Sequence, residues 1–322
     1  MTDLLFQNIF SPAILFFALG SIAGILKSDL NVPEALGRYL GIYLMMSIGF
    51  KGGVSVSNID HFDNRIFALI FFSIIVSGAI PFIAFKILRY TSTLSTPNAS
   101  ALAAHYGSVS IVTFATAVNF LQASNISYSG YMVSILAIME APAIITGLYI
   151  AHRYAPETNC HKKEEKKLSK EIFANGAVLL IMGSLIIGVI TGQNGMNKLS
   201  GFLSQPFQGV LCLFLLDMGL IVTRHFEKLR KISLSVILFG IYMPLISALI
   251  SYFISNFLEL SHGDSFLFMI LCASSSYIAV PAAMRLALPE ADASIYMPIS
   301  LGITFTINIT AGLPLYFYLS NL

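Results

Sequence analysis

Three consecutive serines, Ser274, Ser275 and Ser276, stand inside an apolar span and are followed by Tyr277 and Pro281. Hydroxyls in a membrane helix can bond back to their own carbonyls, so serines alone specify little. Pro281 adds a constraint, because it has no N–H for the carbonyl of Tyr277 and its ring crowds that turn. The interruption lies about ten residues into the span, near the bilayer midplane at roughly 1.5 Å per residue. Backbone that leaves the helix at such depth must be buried in protein or line a wet cavity. Serine hydroxyls and a freed carbonyl on one turn read as a broken helix built around a polar site.

A second stretch, 103–121, reads AAHYGSVSIVTFATAVNFL and has the same character. Placing Ser108 on Ser275 puts Ile111 on Ile278 and Ala115 on Ala282. Gly107, Ser108, Val109 and Ser110 form one candidate break and Ser274–Tyr277 the other, with Gly107 expected to let backbone approach a ligand closely. Paired interruptions in corresponding halves of a chain point to the binding site of a secondary transporter. If the two spans run in opposite directions, the N-termini of their second halves converge. Each then presents unpaired amides and about half a positive charge.

Acids within spans suggest a cation site. Glu140 lies in IMEAPAI, two residues before Pro142. A carboxylate there needs a partner, and either a sodium ion or proton, or a second helix, could supply one. The cation reading is preferred, because Pro142 frees the carbonyl of Ile138 and hard cations take such oxygens. Asp217 has two open roles, as cation ligand or as partner of Arg224 or His225. Thr304, Thr306, Asn308 and Thr310 make a polar stripe that helix–helix hydrogen bonding explains as readily as ion binding. Ion binding at Thr304 and Asn308 is slightly favoured, since their span corresponds to the one carrying Glu140. For His105 and Tyr106, just before the first break, hydrogen-bonded packing is preferred over proton relay; for Lys51, snorkelling is preferred.

The elements that must position these residues are helices. The 322 residues are 56% hydrophobic and 11% charged, with mean hydropathy +0.80. That composition marks an all-α, polytopic membrane protein embedded in a lipid bilayer. Ten apolar spans can be drawn, near 11–26, 39–56, 66–88, 99–121, 130–151, 174–193, 208–223, 232–257, 265–288 and 294–319. The dense charge of 155–173 separates two halves of five spans, 1–154 and 174–322. Placing that loop in the cytoplasm puts both termini outside and leaves only Lys51, Arg65 and Lys198, of 18 lysines and arginines, on the outer face. Five spans per half make any repeat inverted. Met46–Gly49 over Leu216–Gly219, and Ser129–Met132 over Ser294–Met297, match in the same order. Three scattered cysteines suggest no disulfide framework, and the absence of Walker A, zinc-ligand and Gly-x-Ser-x-Gly patterns points away from an enzyme. No catalytic residues are expected.

Ser274–Asn308, reading SSSYIAVPAAMRLALPEADASIYMPISLGITFTIN, resembles the corresponding region of the sodium-dependent bicarbonate transporter family of the SbtA type. LLDMGL at 215–220, GSVSIVTFATA at 107–117 and IMEAPA at 138–143 are similar to it as well. The resemblance implies two inverted five-helix repeats, with spans 4 and 9 as crossed discontinuous helices between a core and a gate domain. It implies sodium-coupled bicarbonate uptake, a homotrimer, a PII-like cytoplasmic regulator, and a bacterial-type inner membrane. The breaks match the family's anion site, Ser276 and Asn308 stand at family positions, and Glu140 stands where the family more often carries aspartate. The alternatives are symport of another small anion, sodium/proton antiport, and a membrane anion sensor that does not transport.

The loop's role is separable. Replacing its five lysines by glutamine should leave sodium-dependent uptake intact in vesicles of correctly oriented protein; lost intrinsic transport would make the loop part of the mechanism.

Overall fold

The computed structural model describes residues 10–58, 64–154, 176–224, 232–277, 280–281, 284 and 288–322. The basic loop 155–173 lies outside the described residues, as do His225 and Arg285. Among the described residues every regular element is a helix. These are α1 (Pro12–Ile25), α2 (Glu34–Ser57), α3 (Asn64–Thr91), α4 (Thr96–Gly107), α5 (Ile111–Ala123), α6 (Met132–Tyr154), α7 (Gly176–Leu203), α8 (Phe207–Arg224), α9 (Leu234–Phe257) and α10 (His262–Ala273). The last span, α11 (Ala293–Leu319), widens into π-helical turns over Pro298–Phe305 and Asn308–Gly312.

Six helical spans are long and apolar enough to cross a membrane, or seven if the bent pair Met182–Leu203 and Phe207–Thr223 is one span. The ten expected spans would also need α1, α7, α8 and the span opening with α10 to cross. α1 has only 14 helical residues and α10 only 12, so length alone does not decide them. The helix of the sixth expected span also runs further than its apolar stretch. α7 continues to Leu203 by turning at Gly192, whose φ of 53° suits glycine.

Packing divides the helices into two groups. α1 lies along α8 and α2 along α7, with α8 also touching α2. α3, α4 and α6 pack on one another, and α9 packs on α10 and the first π segment of α11. The first group closes on glycines. A Cβ on Gly20 would lie 2.0 Å from the Leu216 carbonyl oxygen, and one on Gly219 would lie 2.2 Å from that of Phe17. The α2–α7 seam repeats this, with Gly53 at 2.0 Å from the Leu185 oxygen and Gly188 at 2.3 Å from the Phe50 oxygen. Lipid supplies no hydrophobic drive for helices to pair, so backbone-close contact between small residues is what holds such a seam. By packing, the counterpart of Gly219 is Gly53, one turn beyond the Gly49 that sequence alignment pairs with it.

The second group has its own repeated contact. Asp264, 2% exposed in the first turn of α10, accepts from the Ser129 N–H at 2.7 Å, the Ser129 hydroxyl at 2.8 Å and the Tyr131 hydroxyl at 2.9 Å. Asn98, in the first turn of α4, accepts from the Asp292 N–H at 2.7 Å. Each broken span is thus pinned at its start to the approach of the last span in the opposite half. Prolines mark the supporting helices too. Pro244 in α9 frees the Gly240 carbonyl, which takes the Thr304 hydroxyl at 2.8 Å.

The glycine seam is open to test. Gly20→Ala should lower the thermal midpoint in detergent, at a cost of about 1–3 kcal/mol, because a backbone oxygen cannot move aside cheaply. Gly209→Ala, with nothing within 4 Å, should be neutral or slightly stabilising. Equal midpoints would show that the α1–α8 approach is looser than described.

Candidate functional site

The first break begins where α4 stops at Gly107. Ser108 takes extended backbone, φ −87° and ψ 170°. Ser110 then caps α5, its hydroxyl oxygen accepting from the Thr113 N–H at 3.2 Å and the Thr113 hydroxyl at 2.9 Å. The N–H groups of Ile111 and Val112 have no preceding turn of α5 to reach.

The second break repeats the plan. α10 stops at Ala273 and Ser274 is extended, φ −79° and ψ 169°. The Ser276 hydroxyl oxygen accepts from the Val280 N–H at 3.4 Å. The caps therefore pair Ser108 with Ser274 and Ser110 with Ser276, one residue earlier than the serine alignment. Pro281 has helical conformation and lies beyond the extended serines rather than among them. The extended serines themselves make the break.

The breaks are bonded to each other. The Ser110 N–H donates to the Ser274 hydroxyl oxygen at 2.9 Å, and that hydroxyl donates to the Leu271 carbonyl at 2.8 Å. The Ser276 N–H donates to the His105 carbonyl at 2.9 Å, while His105 Nδ1 donates back to the Ser276 carbonyl. Two segments of interrupted backbone thus bond directly to one another.

α11 reaches both breaks. Asn308 donates its amide to the Ala273 carbonyl, the last of α10, at 2.8 Å, and accepts from the Tyr316 hydroxyl at 3.0 Å. Thr304 shares a 2.6 Å hydrogen bond with the Tyr106 hydroxyl as well as bonding Gly240. Thr306 and Thr310 bond back to their own helix. The stripe is therefore two connecting residues and two self-satisfied ones. π-Helical turns of this kind recur at functional sites.

Several polar atoms here are buried with no hydrogen-bond partner among the described residues. They include the hydroxyls of Ser108 and Ser275, one carboxylate oxygen of Glu140 (Oε2) and His105 Nε2. Val109 is buried between its two serines. The Tyr277 hydroxyl lies beside Ser110 without closing a hydrogen bond, and its ring meets Phe305 edge-on at 5.2 Å. Glu140, 1% exposed, sits in an uninterrupted α6 despite Pro142. The neighbouring Met139 carbonyl accepts the Ser77 hydroxyl of α3.

Gly107 faces elsewhere. A Cβ there would lie 2.4 Å from Pro81 Cγ and 2.5 Å from the Ser77 carbonyl oxygen, so the close approach it permits is that of α3. Asp217 belongs to the other group: its carboxylate faces Gly37 of α2, where a Cβ would lie 2.6 Å from Oδ2. Asp264 and Gly240 carry connections that the sequence did not single out; the repeated Ser-x-x-Asn/Asp at 95–98 and 261–264 was the available signal for the first.

The profile of the Na+-dependent bicarbonate transporter superfamily matches residues 12–321. The chain belongs to that superfamily. No curated protein matches it. Membership makes this a multi-pass membrane protein with a transport rather than an enzymatic role, and the superfamily's name specifies dependence on Na+. Among the described residues, unpartnered hydroxyls lie at the breaks, and the carboxylate with an unpartnered oxygen, Glu140, lies on α6.

The Asp264 clamp generates a test. Asp264→Ala leaves the Ser129 N–H and two hydroxyls without their acceptor and should destabilise the protein by at least about 2 kcal/mol. Asp264→Asn keeps one carbonyl oxygen and should cost less. Thermal unfolding of the two purified variants checks the order, and unchanged midpoints in both would remove the clamp from the folding argument.

Proposed function

We propose that this protein is a sodium-coupled bicarbonate symporter that takes up the anion by alternating access. The observation that carries the proposal is the set of buried, unpartnered atoms at two mutually bonded helix breaks, in a chain of this superfamily. A buried hydroxyl without a partner is costly, and Ser108 and Ser275 can each donate to an anion. With the amides after Ser110 and the resumed helix after Ser276, they form a donor-rich site that needs no arginine.

In this reading 1–154 and 174–322 are inverted repeats joined by the loop 155–173, and spans 4 and 9 are crossed discontinuous helices. The corresponding glycine seams and the Asn98 and Asp264 clamps support that correspondence. The α1, α2, α7, α8 group is the gate and the remainder the core, moving against one another around the breaks. Anion binding is assigned to Ser108, Val109, Ser110, Ser274, Ser275, Ser276 and Tyr277, with Gly107 as the hinge that seats α4 on α3.

Sodium is assigned to Glu140. Asn308 retains a lone pair on its carbonyl oxygen that can join it, whereas Thr304 already bonds in both directions. Asp217, on the gate side, is a candidate for pairing between gate helices. Sodium and bicarbonate would each offset part of the other's desolvation cost, so each should raise the affinity for the other. In this reading the assembly is a homotrimer in a bacterial-type inner membrane, with termini outside and a PII-like regulator at the cytoplasmic loop.

Labelled bicarbonate should enter reconstituted vesicles only under an inward sodium gradient. Glu140→Gln should abolish that dependence while the protein stays folded in detergent, and Glu140→Asp should preserve more of it. Uptake by Glu140→Gln with ordinary sodium dependence would remove the cation assignment.

A further inference from the structure

We propose that His105 is a specificity-determining residue, whose Nε2 accepts the O–H of bicarbonate and so distinguishes it from anions without a proton. The inference rests on the anion site described above and adds to it the recognition of one atom of the substrate.

The argument begins with the tautomer. His105 Nδ1 is hydrogen-bonded to the Ser276 carbonyl oxygen. A carbonyl only accepts, so Nδ1 carries the hydrogen. In a neutral imidazole, Nε2 is then a bare acceptor. That nitrogen, across the ring from Ser276, is buried and has no partner among the described residues. The ring cannot easily turn away, because it stacks on Tyr296 with centroids 4.8 Å apart and its own carbonyl is held by the Ser276 N–H at 2.9 Å. The result is a fixed acceptor within the bonded pair of breaks.

Other unpartnered groups at the same two breaks have the opposite character. The Ser108, Ser275 and Tyr277 hydroxyls, unpartnered among the described residues, can all donate. Bicarbonate presents three oxygens that accept and one O–H that donates. Donor hydroxyls with one fixed acceptor match that inventory. Nitrate has the same planar shape and charge but no O–H, so in its complex Nε2 would stay buried and unsatisfied. A site built to bond a substrate hydroxyl rejects the analogue lacking it for this reason.

The test measures binding of labelled bicarbonate to the purified full-length protein at fixed sodium, and its displacement by nitrate. The native protein should prefer bicarbonate by roughly tenfold or more. In His105→Asn the amide N–H reaches the position of Nδ1 and keeps the Ser276 bond, while the Nε2 acceptor is gone. Bicarbonate affinity should then fall roughly tenfold with nitrate affinity nearly unchanged. His105→Gln, which places an amide near the Nε2 position, should retain more of the preference. Equal loss for both anions would reduce His105 to packing. A native protein that binds both alike, or an unchanged ratio in His105→Asn and His105→Gln, would overturn the proposal while leaving transport standing. Absence of sodium-dependent bicarbonate binding in the native protein would overturn the transport reading itself.

Discussion

Backbone polar groups released inside a low-dielectric interior have to be satisfied there, and this constraint organises the protein. Two helices stop within the bundle, at Gly107 and Ala273. Each interruption would leave several carbonyls and amides stranded if it stood alone. They meet instead. Ser110 and Ser276 send their N–H groups across to Ser274 and His105, and Asn308 covers the last carbonyl of α10. Because each break is completed by the other, neither can be repositioned singly, and the site they form is stiff.

That stiffness suits a substrate held mainly by backbone and hydroxyl groups. Short side chains have few rotamers, so their donors stay aimed once the backbone is fixed. The prolines of the supporting helices contribute to the same frame. Pro244 releases the Gly240 carbonyl to Thr304, and Pro81 stands where Gly107 must be small. Glu140 is the exception in kind: a buried carboxylate on a continuous helix, with one oxygen lacking a partner among the described residues. Its demand for positive charge is what links the cation to the anion in the proposed cycle.

The two helix groups differ in how they cohere. The α1, α2, α7, α8 group is drawn together at glycines, where backbones touch directly. The broken-helix group has such contacts too, as at Gly107 against the Ser77 carbonyl, and adds hydrogen bonds between spans, many to buried hydroxyls. Van der Waals seams can slide as bodies, whereas a hydrogen-bonded lattice around a ligand is better carried intact. This contrast is the physical basis for assigning gate and core as they are.

Much was legible from the sequence alone. Apolar run length located the six spans that are long and apolar enough to cross a membrane, because a crossing requires about twenty apolar residues and leaves no other regular choice for such a run. The Gly-Ser-x-Ser and Ser-Ser-Ser segments marked both interruptions, since such polar clusters have no place in an ordinary lipid-facing turn. Local pattern could not decide partnership. The alignment set Ser108 over Ser275, while the caps pair Ser108 with Ser274, because capping depends on where the preceding turn ends. Gly107 was expected to face a ligand and faces Pro81; Asp217 was a candidate ion ligand and lies against Gly37 of α2. Asp264 was passed over, since an acid near a helix start is ordinary until the donors it accepts from arrive from the other half of the chain. Spacing along a helix determines which residues share a face. Which face another helix then covers is decided only by the packing of the whole bundle.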